Sequence, residues 1–349
     1  MIIEFPKERL EQAQSFIAQA KHIIITTHMA PDGDAMGSSL ALYNWLKRLP
    51  VTGDGLREVS VLVPNAFPKF YEWMPGAKDI HIYEKEANVC NELISNADLF
   101  ICTDYNEPKR IGALGEKMLA SSAPKILIDH HLNPADFAYV TFSYPEASSA
   151  SEIVYRFITV NGERLTANEA TCIYTGLMTD TGNFAFNSNS CELYQMIAEL
   201  VRAGIQKDEI YNAVYNQYST DRVRLTGYAL YRKMRIYPEY HLSLITLSAD
   251  ELDQYHYQPG DTEGLVNMPL QIADVYYSVY MREERPKPGT PKPRIRISFR
   301  SQGDRPVNVW ASEVFHGGGH MNASGGELFG SLNQAVQLFE QSFPKYLKK

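Results

Sequence analysis

KHIIITTHMAPDGDAMGSS, residues 21–39, decides the fold. Its first seven residues are an apolar, β-branched run, the pattern of a strand buried on both faces. From residue 36 to 49 the apolar spacing becomes helical. Between the two, Pro31 and Gly33 turn the chain sharply and His28, Asp32 and Asp34 supply polar side chains. A buried strand, a tight polar turn and a helix form the opening unit of a doubly wound parallel sheet.

The same rhythm continues outward. Residues 58–63, 98–103 (DLFICT) and 125–128 (KILI) read as further strands, and residues 87–96, 108–119 and 149–160 as helices. Residues 190–235 read as helical with no strand signal. Residues 241–247, 275–282 and 294–300 alternate like strands of a mixed sheet, and 331–347 closes the chain as an amphipathic helix. The basic, proline-rich run 285–293 (RPKPGTPKP) reads as a solvated hairpin tip. The expected fold is α/β: a doubly wound, mainly parallel N-terminal domain over 1–190, a helical linker over 191–238, and a smaller α/β domain with a mixed sheet over 239–349. At 349 residues, two domains are the natural division.

Composition narrows the partners. Hydrophobic content of 44% with 21% charged residues belongs to a soluble globular chain. No apolar run is long enough to span a bilayer, and the first residues lack the basic and apolar regions of a signal peptide, so a cytoplasmic protein without membrane contact is expected. The cysteines, Cys90, Cys102, Cys172 and Cys191, form no CxxC pair and read as reduced thiols. A net charge of −8 argues against a stable complex with long nucleic acid. Short nucleotide substrates remain compatible with it, as does a homodimer.

Polar clusters are expected where the strands end: His28, Asp32 and Asp34; Asp104; Asp129-His130-His131; and Asp180-Thr181-Gly182 after the apolar stretch 172–178. Each alone reads as a helix cap or turn residue. Gathered at one sheet edge, their carboxylates would repel one another strongly without cations. Two divalent ions would relieve that repulsion, and mixed imidazole and carboxylate ligands suit manganese, zinc, iron or cobalt. A second signal is Gly317-Gly318-Gly319-His320, with Gly325 and Gly326 beyond it. Such a glycine-rich turn lets backbone N–H groups approach an anion, and a helix beginning after it would add its dipole. Arg296 and Arg300 lie at even spacing on one face of a predicted strand, and arginine suits bidentate phosphate binding.

HMAPDGDAMGSS at 28–39, Asp104, DHH at 129–131, DTG at 180–182 and GGGH at 317–320 resemble, in order, the motif series of the DHH phosphoesterase superfamily and its associated C-terminal domain. Residues 262–270 (TEGLVNMPL) are similar to that second domain too, so the resemblance covers nearly the whole chain. It implies two metal ions, typically manganese, with magnesium, cobalt or zinc as alternatives. His28, Asp32 and Asp104 would hold one, and Asp34, Asp104, His130 and Asp180 the other, Asp104 bridging. Asp129 would orient a neighbour, His131 would contact phosphate and give a proton, and Arg300, Ser301, Gly318, Gly319, His320 and Arg296 would bind substrate. The most similar subfamily is that of nanoRNases. It implies hydrolysis of very short oligoribonucleotides to 5′-mononucleotides, with removal of the 3′-phosphate of pAp. A linear or cyclic dinucleotide phosphodiesterase is the alternative enzyme, and a non-catalytic nucleotide sensor the alternative of another class.

Overall fold

The computed structural model describes residues 3–50, 57–286 and 292–347. Most of the expected hairpin tip, 287–291, lies outside them. The chain divides into two compact units, Met1–Gln217 and Tyr218–Lys349. Among the described residues no helix is long and apolar enough to cross a membrane.

The first unit is built on six strands: β1 (His22–Thr26), β2 (Glu58–Val63), β3 (His81–Ile82), β4 (Leu99–Thr103), β5 (Lys125–Asp129) and β6 (Val140–Ser143). They pair in the order β3-β2-β1-β4-β5-β6, every pair parallel. β4 and β5 are buried throughout, which accounts for their unbroken apolar sequence. The chain winds outward through β2 and β3, then returns to place β4 against the other side of β1. This reversal opens a crevice beyond the carboxyl ends of β1 and β4, where doubly wound sheets place their ligands. His28 and Asp104 follow those two strand ends.

The helices of this unit are α1 (Lys7–Gln19), α2 (Gly33–Arg48), α3 (Tyr83–Ser95), α4 (Ala113–Ala120), α5 (Ala150–Thr159), α6 (Ala167–Asp180), α7 (Cys191–Arg202) and α8 (Lys207–Tyr215). α2 is buried from Gly33 to Tyr43 and again at Trp45 and Leu46. It crosses α6 at very short range. A Cβ built on Gly37 would lie 2.6 Å from the Cys172 carbonyl oxygen and 2.8 Å from the Gly176 nitrogen. One built on Gly33 would strike the Thr179 side chain.

α6 corrects the sequence reading of residues 172–182. The DTG motif ends a helix, not a strand, and Asp180 is the last residue of α6. The helix is buried from Cys172 to Met178, so its sequence is apolar all round and carries no amphipathic period. Such a short run does not tell buried helix from buried strand.

The second unit comprises α9 (Thr220–Tyr228), β7 (Arg235–Tyr237), β8 (Leu242–Leu247), α10 (Ala249–Gln254), β9 (Tyr277–Glu284), β10 (Arg294–Ser301), α11 (Asn308–Phe315), β11 (Gly318–His320), β12 (Ala323–Phe329) and α12 (Leu332–Tyr346). Its sheet runs β11-β12-β10-β9-β8-β7, with β8 and β9 parallel and the other pairs antiparallel. Val279, Met281, Ile297 and Phe299 pack with Trp310, Phe315 and Phe339 in its main core. The stretch 191–238 is divided: α7 and α8 belong to the first unit, α9 and β7 to the second.

The glycine-rich segment is a second correction. It folds as the hairpin of β11 and β12 at the sheet edge, with α11 before it and no helix directly after it. Gly317, Gly319 and Gly326 serve close packing. A Cβ on Gly317 would fall 1.8 Å from the Gly325 oxygen, one on Gly326 would meet Phe315, and Gly319 adopts φ 138°.

Gly37→Ala is expected to destabilise the first unit by about 1–3 kcal/mol, because backbone atoms of α6 cannot yield to the added methyl. Denaturant unfolding checks this, and a midpoint equal to wild type contradicts the close crossing.

Candidate metal centre

The centre grows from three strand ends and three helix ends. After β1 the chain passes through Ala30 in a left-handed conformation, φ 57°, fixed by a hydrogen bond from its N–H to Asn65 Oδ1 at 2.7 Å. Asp32 then caps α2, accepting the N–H groups of Asp34 and Ala35 at 3.1 Å each. Beyond β4, Asp104 is itself left-handed, φ 61°, a conformation that Asp tolerates better than most residues. DHH spans the end of β5, and α6 brings Asp180.

His28 and His130 are set in the same manner. His28 Nδ1 bonds the Met29 carbonyl at 3.0 Å, and His130 Nδ1 bonds the Ala147 carbonyl at 3.4 Å. Each thereby directs Nε2 into the carboxylates. His28 Nε2 lies 3.4 Å from Asp104 Oδ2 and 3.7 Å from Asp32 Oδ1. His130 Nε2 lies 3.4 Å from Asp104 Oδ1, 3.5 Å from Asp180 Oδ2 and 3.8 Å from Asp34 Oδ2. A backbone partner on one ring nitrogen, with the other aimed at a cluster of acids, is the habit of metal-binding histidines.

These separations are long for hydrogen bonds. They match ligand atoms that share an ion, since atoms each ~2.1 Å from one cation lie about 3–3.5 Å apart. His28, Asp32 and Asp104 thus form one group able to hold a cation, and Asp34, His130 and Asp180 another. Asp104 turns one oxygen to each. Its Oδ1 is buried without a hydrogen-bond partner, so the residues present fit a cation there. Asp104, Asp129 and His131 form a third group, but His131 Nδ1 is already committed to Asp129 Oδ1 at 2.8 Å.

Asp34 shows a support that sequence reading missed. Its Oδ2 accepts the Ala150 N–H at 2.6 Å and its Oδ1 the Ser151 N–H at 2.9 Å, so the first turn of α5 holds the carboxylate. Gly176 leaves room for this. A Cβ there would stand 2.0 Å from Ser151 Oγ and 2.8 Å from Asp34 Oδ1. The serines at 148–151 ahead of an apolar run were the legible trace of a helix start, and Ser149 is its cap.

The electrostatics record the crowding. Burial pushes the Asp34 carboxyl up, and the charges of Asp104 and Asp180 push it further. Burial alone would lower His28, but the Asp32 charge and the nearness of Asp104 raise it to about 10. In His130 too, burial is outweighed, chiefly by the Asp180 charge and the nearness of Asp104, and its pKa stands well above the usual value. Asp104 is held well below the carboxylate range against the effect of burial, by the His130 and His28 imidazoles that face its two oxygens. His131 differs. Burial lowers its pKa despite the Asp129 bond.

The expected substrate-binding residues lie in the second unit. Arg296, Arg300 and Ser301 are on β10, Gly318, Gly319 and His320 on β11. Arg300 Nη1 donates to the Phe299 carbonyl at 2.9 Å, and the Asn322 side chain donates to Ser301 Oγ at 2.8 Å.

Residues 22–177 match the model of the DHH family, N-terminal domain. The chain is similar to the bifunctional oligoribonuclease and PAP phosphatase NrnA of Thermus thermophilus, with 28% identity over 90% of this chain and 87% of that one. Its counterpart of the same name in Bacillus subtilis is 25% identical over 88% of this chain and 89% of that one. The crystal structure of an exopolyphosphatase-related protein from Bacteroides fragilis superposes with a TM-score of 0.90 at 44% identity, covering 99% of this chain and 98% of that one.

Manganese binding to metal-free protein at pH 8 is expected to release protons. His28, raised to about 10, is charged at that pH, and imidazole must be neutral to bind a metal. Calorimetry in buffers of different ionisation enthalpy counts the protons, and no release contradicts the ligand assignment.

Proposed function

This chain belongs to the DHH family, and from that premise we propose that it is a two-metal phosphoesterase hydrolysing very short oligoribonucleotides to 5′-mononucleotides and removing the 3′-phosphate of pAp. The observation that carries the reading is Asp104, with one carboxylate oxygen 3.4 Å from each of two histidines. Relatives named for these two activities, aligned over most of the chain, support the choice of substrate. The alternative of a nucleotide sensor loses weight because no member of the proposed ligand set is missing.

In this reading His28, Asp32 and Asp104 hold one ion and Asp34, Asp104, His130 and Asp180 the other, manganese being the metal that the family resemblance implies among those the ligand set suits. The ions, when bound, supply a water of lowered pKa and neutralise charge on the phosphoryl oxygens. The chain's own residues orient the reaction. Asp129 accepts the Nδ1 proton of His131 and fixes its tautomer, so proton exchange with substrate falls to Nε2. His131 is proposed to contact the phosphate and to give a proton there. In the second unit Arg300, Ser301, His320 and the N–H groups of Gly318 and Gly319 are proposed to hold the substrate's phosphates, with Arg296 further along the same strand. The likeness to an exopolyphosphatase-related protein makes inorganic polyphosphate the second substrate to test.

Manganese-loaded protein is expected to cleave a dinucleotide and pAp in preference to a 24-mer, cyclic di-AMP, pyrophosphate and polyphosphate. Turnover of only the 24-mer or the inorganic substrates contradicts the reading. Asp104→Ala is expected to lose several kcal/mol of transition-state stabilisation, roughly a thousandfold or more in kcat. Retained turnover removes the bridging role.

A further inference from the structure

β10 presents two faces. Ile295, Ile297 and Phe299 are buried, while Arg294, Arg296, Ser298 and Arg300 are partly exposed on the other side. The register sets Arg296 between Arg282 of β9 and Glu327 of β12, and Arg294 beside Glu284. Three guanidinium groups therefore share two carboxylates. Arg282 Nη2 donates to Glu284 Oε1 at 2.9 Å and its Nη1 to the Tyr257 hydroxyl. Arg294 Nε donates to Glu327 Oε2 at 2.7 Å.

Arg296 receives what is left. Its Nε is 3.5 Å from the same Glu284 oxygen that Arg282 uses, and it makes no hydrogen bond among the described residues. Nε is buried nonetheless. A guanidinium has five N–H donors in a planar fork, so a partly buried one without hydrogen bonds is set up for an anion with several acceptor oxygens.

The surface beyond Arg296 is open on the side of β12, whereas Tyr280 of β9, on the other side of Ser298, is buried. The next row toward Arg300 holds Ser298, with Gly325 beside it on β12. A Cβ on Gly325 would meet nothing closer than the Ile297 oxygen at 3.7 Å. Four residues of strand separate Arg296 from Arg300 by about 14 Å, at ~3.4 Å each. Strand side chains stand roughly perpendicular to the sheet, so the two arginines address two anions and not one.

We infer that Arg282 and Arg296, with Glu284 as displaceable counter-anion, form a second phosphate subsite, which takes a phosphodiester further along a short oligonucleotide than the one held at Arg300. This rests on the proposed reading of the substrate. It gives the protein a preference among short chains, since a dinucleotide or pAp does not reach the subsite and a pentanucleotide does. Glu284 sets how tightly the longer chain is held.

KM measured for a dinucleotide and a pentanucleotide tests it. Arg296→Met is expected to raise KM for the pentanucleotide about tenfold more than for the dinucleotide. It should also flatten the pentanucleotide's log KM against log salt by about 0.7, one single-strand phosphate contact. Glu284→Gln, which frees the arginines, is expected to lower the pentanucleotide KM. Equal effects of Arg296→Met on both substrates, an unchanged salt slope, or weaker binding in Glu284→Gln overturns the subsite. If the wild type turns over neither substrate, the proposed function fails and the subsite is judged by fluorescence anisotropy of a labelled pentanucleotide. The same order of affinities supports it, and equal affinities overturn it.

Discussion

Charge crowding around Asp104 is the constraint on which the first unit depends. This carboxylate is buried and left-handed in backbone, and it faces a histidine with each oxygen. Asp32, Asp34 and Asp180 surround the same two histidines. Without cations the cluster settles its repulsion by taking up protons, which is why two imidazoles stand above their usual pKa and Asp34 is pushed up. Two divalent ions relieve the same repulsion with fixed charge. The residues then become ligands instead of mutual antagonists.

Much of the surrounding architecture can be understood as what keeps these acids from moving apart. The reversal of strand order beside β1 brings the ends of β1 and β4 together. Asp32 is tied to the N–H groups of α2, and Asp34 to those of α5. α2 and α6 approach closely enough that glycine is required at 33 and 37, and Gly176 makes room for Ser151 of α5 and for Asp34. Each device costs something locally, in a strained turn at Asp104 or a helix weakened by glycine. The second unit shows the opposite sign of the same problem, with arginines on one sheet face outnumbering the carboxylates beside them.

Legibility in the sequence followed the physics of each segment. β1, β4 and β5 were readable because a strand buried on both faces has an unmistakable apolar run. The residues that crowd Asp104 were readable because several acids and histidines after strands need a common explanation. Asp180 reads as following a strand although it ends α6, since a fully buried helix has lost the polar face that would reveal its period. The glycines at 317–326 suggested a phosphate-binding turn before a helix, whereas they permit a hairpin to lie against α11 and itself. The hold of α5 on Asp34 joins residues more than a hundred positions apart through backbone N–H groups, which leave no side-chain signature. Arg282 and Glu284 were invisible as a site until the register of β9 against β10 set them beside Arg296.

The central claim is that one carboxylate joins two metal positions. Electron paramagnetic resonance of the protein titrated with manganese tests it most directly. Two manganese ions per chain with an exchange-coupled spectrum, uncoupled by Asp104→Ala, is the result that this account predicts. A single ion per chain, or two ions giving only the six-line signal of isolated manganese, would contradict it.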